Sequence, residues 1–201
     1  AFIEAARRLN VEITIGSEER QALSMLTPGR SITLNFTEPE KSTQAIAKFS
    51  KRYPIQAVVP TDDDTTILAA TASGVLSLPH NPASSVIATR NKFRFRELVS
   101  RAGLPSPRYE LLAIDENPEI APPTVGFPCV LKPLALSGSR GVIRADTPTQ
   151  FAAAFRRVAA ILREPDAVAR GKEEARQILV EQFIPGREVV LEGILSKGHL
   201  R

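Results

Sequence analysis

Along the first eighty residues, apolar and polar positions follow two rhythms in turn. FIEAARRL (2–9) has the spacing of a helix with no strand before it, and VEITIG (11–16) and SITLNF (31–36) read as short strands. EKSTQAIAKFSKRY (40–53) predicts an amphipathic helix that turns Ile46 and Phe49 inward. IQAVVP (55–60) is apolar without a break, the pattern of a strand covered on both faces, and predicts a third strand. TDDDTTILAATASGVL (61–76) predicts a helix entered through acidic caps. Helix and strand in alternation predict an α/β layer with a parallel sheet.

Near residue 80 the rhythm changes. NPASSVIATRNKFRFRELVSRAG (81–103) predicts two short helices, the second capped by Asn91 and stopped at Gly103. LPSPRYELLA (104–113) predicts a turn and a short strand, and Pro118, Pro122 and Pro123 punctuate a hinge-like stretch. Strands are then expected within FPCVLKPL (127–134), GVIRAD (141–146), QILVEQFI (177–184) and EVVLEGIL (188–195). Between them lies a helix with Thr147 at its N-cap, Pro148 at its first position and Gln150 completing a capping box. Phe151, Phe155, Val158 and Leu162 form its apolar stripe. REPDAVARGKEEARQ (163–177) is polar and glycine-broken, either a loop or a second short helix. This half predicts an α+β unit, a small sheet backed by a helix.

Composition narrows the partners. Of 201 residues, 43% are hydrophobic, enough for a real core, and 26 basic against 22 acidic residues leave a net charge of +4. That charge is too mild and too dispersed to imply nucleic acid. The densest basic stretch, RNKFRFRELVSR (90–101), would need a continuous basic surface around it. Cys129 is the only cysteine, so no internal disulfide forms, and His80 and His199 give no metal spacing. A reducing, cytoplasmic setting fits. No apolar run approaches the ~18 residues of a membrane helix, and no secretory signal is present, so no membrane partner is expected. The chain opens inside a helix and stops after an expected strand, so it is expected to be a piece of something longer.

Candidate chemistry gathers in the second half. CVLKPLALSGSRGV (129–142) runs from an apolar strand into a glycine loop. Lys132 shares a strand face with Val130, and a lysine between apolar faces is costly unless its charge finds a partner or snorkels to the surface. The loop matches neither the GK[ST] phosphate loop nor a GxGxxG before a helix, so a plain dinucleotide-binding domain lacks its motif. It is either an ordinary hairpin turn or a set of backbone N–H donors brought close to phosphate by Gly138 and Gly141. Lys92 stands at a helix start, where the dipole disfavours cations, which points to a partner or to plain exposure. In EQFIPGRE (181–188), Glu181 shares a face with Leu179 and Phe183, while Glu188 opens the next strand beside Val190 and Glu192. Each carboxylate suits an amino or hydroxyl donor, against the alternative of surface glutamates flanking a turn. Asp62, Asp63 and Asp64 could pass for a metal site but read better as a helix cap. Cys129 reads as a core thiol.

RNKFRFRELVSRAGLPSP, then FPCVLKPLALSGSRGV, then ILVEQFIPGREVV, in that order, resemble the ATP-grasp superfamily, in the branch of biotin carboxylase, carbamoyl-phosphate synthase and amino acid ligases. The resemblance covers nearly the whole chain and implies a truncation at both ends. It implies an incomplete parallel-sheet pre-ATP-grasp domain over residues 1–85, missing its first strand. The start of the central region would follow over 86–123, an α+β lid over 124–184, and the start of a C-terminal subdomain over 185–201. By the resemblance, Lys92 and Lys132 contact the phosphates of ATP, and Ser137, Gly138, Ser139, Arg140, Gly141 and Val142 fold over them. Glu181, with main-chain groups of Gln182 and Ile184, would line adenine, and Glu188 would hold the ribose hydroxyls. The implied enzyme joins a small-molecule carboxylate to an amine, or to a thiol, through an acyl-phosphate. Magnesium is expected only in the full-length protein, on acidic residues and an asparagine of later strands, so the fragment itself is expected to be inactive. Homo-oligomerisation of the full-length protein stays open. The alternative is a non-catalytic nucleotide-binding module of the same fold.

Overall fold

The computed structural model describes residues 2–19, 30–120, 123–196 and 198–200; Pro122, one of the hinge prolines, lies outside them. In the first half, α1 (Phe2–Leu9) leads to β1 (Ile15–Ser17), which pairs in parallel with β2 (Ser31–Thr33). Then come α2 (Pro39–Ser50), a 3-10 turn over Asp63–Thr65, and α3 (Thr66–Val75). Leu34, Ile46, Leu68 and Ala72 form a small core, with Ile32, Phe36 and Ile55 packed against it. As expected, Ile46 is buried; Phe49 is half-buried and tilts onto Tyr53, ring centroids 4.9 Å apart.

The third strand expected at residues 55–60 does not form. Val59 is 75% exposed, and no described strand offers these residues a ladder. An apolar run becomes a strand only when a neighbour takes its hydrogen bonds and both faces are covered. Neither condition is met here.

The second half carries the larger core. It contains α4 (Ala83–Arg90), α5 (Lys92–Arg101), β3 (Tyr109–Ala113), β4 (Cys129–Pro133) and β5 (Ile143–Ala145). After these come α6 (Pro148–Leu162), α7 (Pro165–Gly171), a 3-10 turn over Lys172–Arg176, and β6 (Gln177–Gln182). The strands form one antiparallel sheet in the order β3-β6-β4-β5. Thus the last of these strands in sequence enters the middle of the sheet.

Alternation along β4 and β6 gives the sheet two unlike faces. Cys129, Leu131, Ile178 and Val180 pack with Phe151, Phe155, Val158 and Leu162 of α6, all 2% exposed or less. Burying each large apolar side chain contributes about 1.5–3 kcal/mol, so this helix-backed layer dominates the unit's stability. The α6 cap differs in detail from a capping box. Thr147 accepts from the Gln150 N–H at 3.3 Å, but the Gln150 side chain accepts from the Asp146 N–H at 2.8 Å, one residue early.

The strand expected at 188–195 is also absent. Only Leu195–Ser196 (β7) pairs, antiparallel with His199–Leu200 (β8). Val189, Val190 and Leu191 are each at least 80% exposed, because no described strand or apolar surface lies against them. No helix among the described residues is long and apolar enough to cross a membrane.

Candidate functional site

The second face of the sheet carries Val130 and Lys132 on β4 beside Leu179 and Glu181 on β6. Val130 lies opposite Glu181, and Lys132 opposite Leu179. The two charges therefore sit diagonally across adjacent strands, and Lys132 Nζ reaches Glu181 Oε2 at 2.5 Å. Glu181 is only 4% exposed. Burial raises its proton affinity, but hydrogen bonds from Arg96 and Lys132 outweigh that and hold the carboxyl below its ordinary value.

Helix α5 lies against this face, with Phe93 edge-on to Tyr109 of β3 at 5.8 Å between ring centroids. As expected, Asn91 caps α5, its side-chain oxygen accepting from the N–H groups of Phe93 and Arg94 at 3.1 Å each. The cap sets Lys92 at the first helical position and Arg96 one turn later, on the same side. Arg96 grips Glu181 with two bonds, Nε to Oε1 at 2.6 Å and Nη2 to Oε2 at 3.2 Å.

Lys92 has no carboxylate among the described residues. Its ammonium donates to the carbonyls of Leu136 (2.6 Å) and Leu134 (3.4 Å), just past β4. Burial, then the charges of Lys132 and Arg90, hold its pKa below the ordinary lysine value. Arg90, nearby, is neutralised by Asp63 and Asp64 at 3.1 Å each and also donates to the Ala135 carbonyl at 3.3 Å. Around Glu181 there are thus three cations, Lys92, Arg96 and Lys132, and one anion. Such a surplus, partly shielded from water, makes a positive potential that attracts anions.

The glycine loop follows. Gly138, Ser139 and Gly141 all take positive φ. A Cβ on Gly141 would come within 2.9 Å of the Pro133 side chain, so glycine there is required by space as well as by backbone. Ser137, Gly138 and Ser139 are exposed, as is Val142. Arg140 is turned to Glu164 and Asp166, 2.5 Å from each, at the join of α6 and α7. Its guanidinium is engaged by carboxylates instead of standing free in the loop.

The remaining expected residues are less assembled. The Gln182 N–H donates to the Arg108 carbonyl at 2.9 Å, and Arg108 Nε reaches its side-chain oxygen at 3.2 Å. Ile184 is 65% exposed. Glu188 is exposed and opens no strand, contrary to the expectation that it begins one, since residues 188–194 lack ladder partners. Asp62 caps the turn by accepting from the Thr65 N–H at 3.0 Å, while Asp63 and Asp64 serve Arg90. Cys129 is fully buried, and desolvation pushes its thiol up to about 11, the behaviour of a core residue.

Arg96 is the site residue that the sequence does not single out. Its signal is the i, i+4 spacing from Lys92, lost among the other arginines of the same basic stretch.

Residues 3–80 match the ATP-grasp N-terminal domain family, and residues 125–200 match the ATP-grasp domain family. The chain is 26% identical over 179 residues to the formate-dependent phosphoribosylglycinamide formyltransferase of Nitratidesulfovibrio vulgaris, across 89% of this chain and 43% of that protein. In fold it is similar to the L-amino acid ligase of Bacillus licheniformis, with TM-score 0.70 and 24% identity over 90% of this chain and 43% of the ligase. The ADP complex of N5-carboxyaminoimidazole ribonucleotide synthetase aligns with TM-score 0.59 and 15% identity, over 98% of this chain and 52% of that one. The chain spans less than half the length of the curated relative it matches.

Proposed function

Because the chain belongs to the ATP-grasp superfamily, we propose that it is the ATP-binding portion of a ligase that activates a carboxylate as an acyl-phosphate for attack by an amine or thiol. One observation carries this reading. Lys92 is a partly buried cation held only by carbonyls, beside Lys132 and short of negative charge. A protein tolerates such an ammonium where an anion is to arrive.

In this reading Lys92 and Lys132 meet nucleotide phosphates as compact point charges. The loop from Ser137 to Val142 covers them with backbone N–H groups. Glu181 and the main chain at Gln182 and Ile184 receive adenine, and Glu188 takes the ribose. Relatives named as a formate-dependent formyltransferase and an L-amino acid ligase fit a small carboxylate and an amine as co-substrates. For magnesium the described residues offer no fitting donor set, since Asp63 and Asp64 hold Arg90, and Glu181 holds Arg96 and Lys132. The 201 residues by themselves bind nucleotide without turnover.

Calorimetric titration with ADP tests the reading. Lys92→Met should weaken binding by about 1.5–3 kcal/mol, the scale of a hydrogen bond to a charged group. Equal affinity in the two proteins removes Lys92 from the site. Ligase turnover by the 201-residue chain would overturn the inactive-portion reading.

A further inference from the structure

Glu181 has two partners of different kinds. Arg96 holds it through a planar fork, with one bond to each carboxylate oxygen. Lys132 holds it through a single contact at the end of a flexible stem. If Lys132 is to serve a phosphate, as the proposed function requires, it must leave Glu181. A carboxylate so deeply buried cannot stand alone, since removing one member of a buried pair leaves an uncompensated charge. Arg96 resolves the conflict, because Glu181 keeps a bidentate counter-ion whether Lys132 stays or goes.

We propose that Arg96 is a positioning residue of the nucleotide site: it is the fixed counter-ion of Glu181 and thereby makes the Lys132 ammonium exchangeable between that carboxylate and an incoming phosphate. Arg96 itself touches no phosphate. It keeps Glu181 ionised and oriented, and its two bonds leave Lys132 the weaker-held of the two cations. Without Arg96, Lys132 becomes the sole partner of a buried carboxylate and is captured there. The inference rests on nucleotide binding at Lys92 and Lys132, and adds a residue that the sequence motifs do not single out.

Capture can be relieved by removing what captures, and this gives the test. ADP affinity is measured by calorimetry for the wild-type chain, R96M, E181Q and the double variant R96M/E181Q. R96M should bind ADP at least tenfold more weakly than wild type. The double variant should bind several-fold more tightly than R96M, because a neutral amide at 181 no longer holds Lys132. A residue that merely supports the fold would give no such recovery. Should R96M fail to fold, R96K takes its place: it keeps the charge but loses the fork, and should bind at an affinity below wild type that E181Q again improves. R96M binding as tightly as wild type, or a double variant no tighter than the single one, overturns the proposal and leaves nucleotide binding intact. No ADP binding by wild type overturns both.

Discussion

Glu181 sets an acid limit for the site through its own titration. Its folded pKa lies below the unfolded value of about 4.5, so its ion pairs stabilise the fold fully above that value. The contribution disappears as pH falls through the lowered folded value. Urea unfolding should therefore show wild type losing more stability than E181Q between pH 7 and pH 3; parallel losses would refute the linkage. Lys92 has the opposite sign. Its folded pKa is depressed, so at neutral pH its charge opposes folding, and this cost fades as pH rises through the lowered value. Wild type should therefore gain stability relative to K92M as pH rises from 7 toward 10, and parallel pH dependences of Tm in the two proteins would refute the linkage. Lys132 and Glu181 were legible in the sequence because a charge inside an apolar period-2 run is conspicuous. Arg96 was not, because choosing among the arginines of one helix requires knowing where β6 lies.

Elements differ in how much of their definition is local. Helix α6 is readable residue by residue, with cap, first-turn proline and stripe, because a helix satisfies its own hydrogen bonds. Residues 55–60, 177–182 and 188–195 look alike as apolar runs, yet only the second becomes a full strand. What separates them is a partner: β6 has β3 on one side and β4 on the other. The glycine loop shows the same split. Gly138 has open space around a would-be Cβ, whereas Gly141 faces Pro133. Gly138→Ala should cost about 1–2 kcal/mol, the left-handed backbone penalty alone. Gly141→Ala should cost about 1–3 kcal/mol more, because the new methyl also overpacks against Pro133. Chemical denaturation of the two variants measures the difference, and equal losses would contradict the close approach.

At the scale of the molecule, Arg90 joins the halves. It reaches back to Asp63 and Asp64 beside α3 and forward to the carbonyl of Ala135, and Arg170 of α7 also pairs with Asp64. The only two tyrosines, Tyr53 and Tyr109, lie one in each half and can report on them separately. In single-tyrosine variants, Y53F and Y109F, the urea transitions followed by fluorescence should coincide. Adding R90M should pull them apart, and continued coincidence would show that Arg90 does not couple the halves.

The same junction governs how the glycine loop can move. The carbonyls of Leu134, Ala135 and Leu136 are each held from the α4–α5 junction, by the Lys92 N–H and ammonium and by Arg90. On the far side, Gly141 is wedged against Pro133 and Arg140 is clasped by Glu164 and Asp166. Both roots are bolted, and within the exposed span, Ser137 to Ser139, the carbonyls of Ser137 and Ser139 accept from the N–H groups of Arg140 at 3.3 Å and Val142 at 3.1 Å. Mechanically this is a short hatch on two fixed hinges, not a long swinging flap. Under the proposed function, settling these three residues over an anion costs at most about 1–2 kcal/mol each. The far larger sheet beneath can stay still.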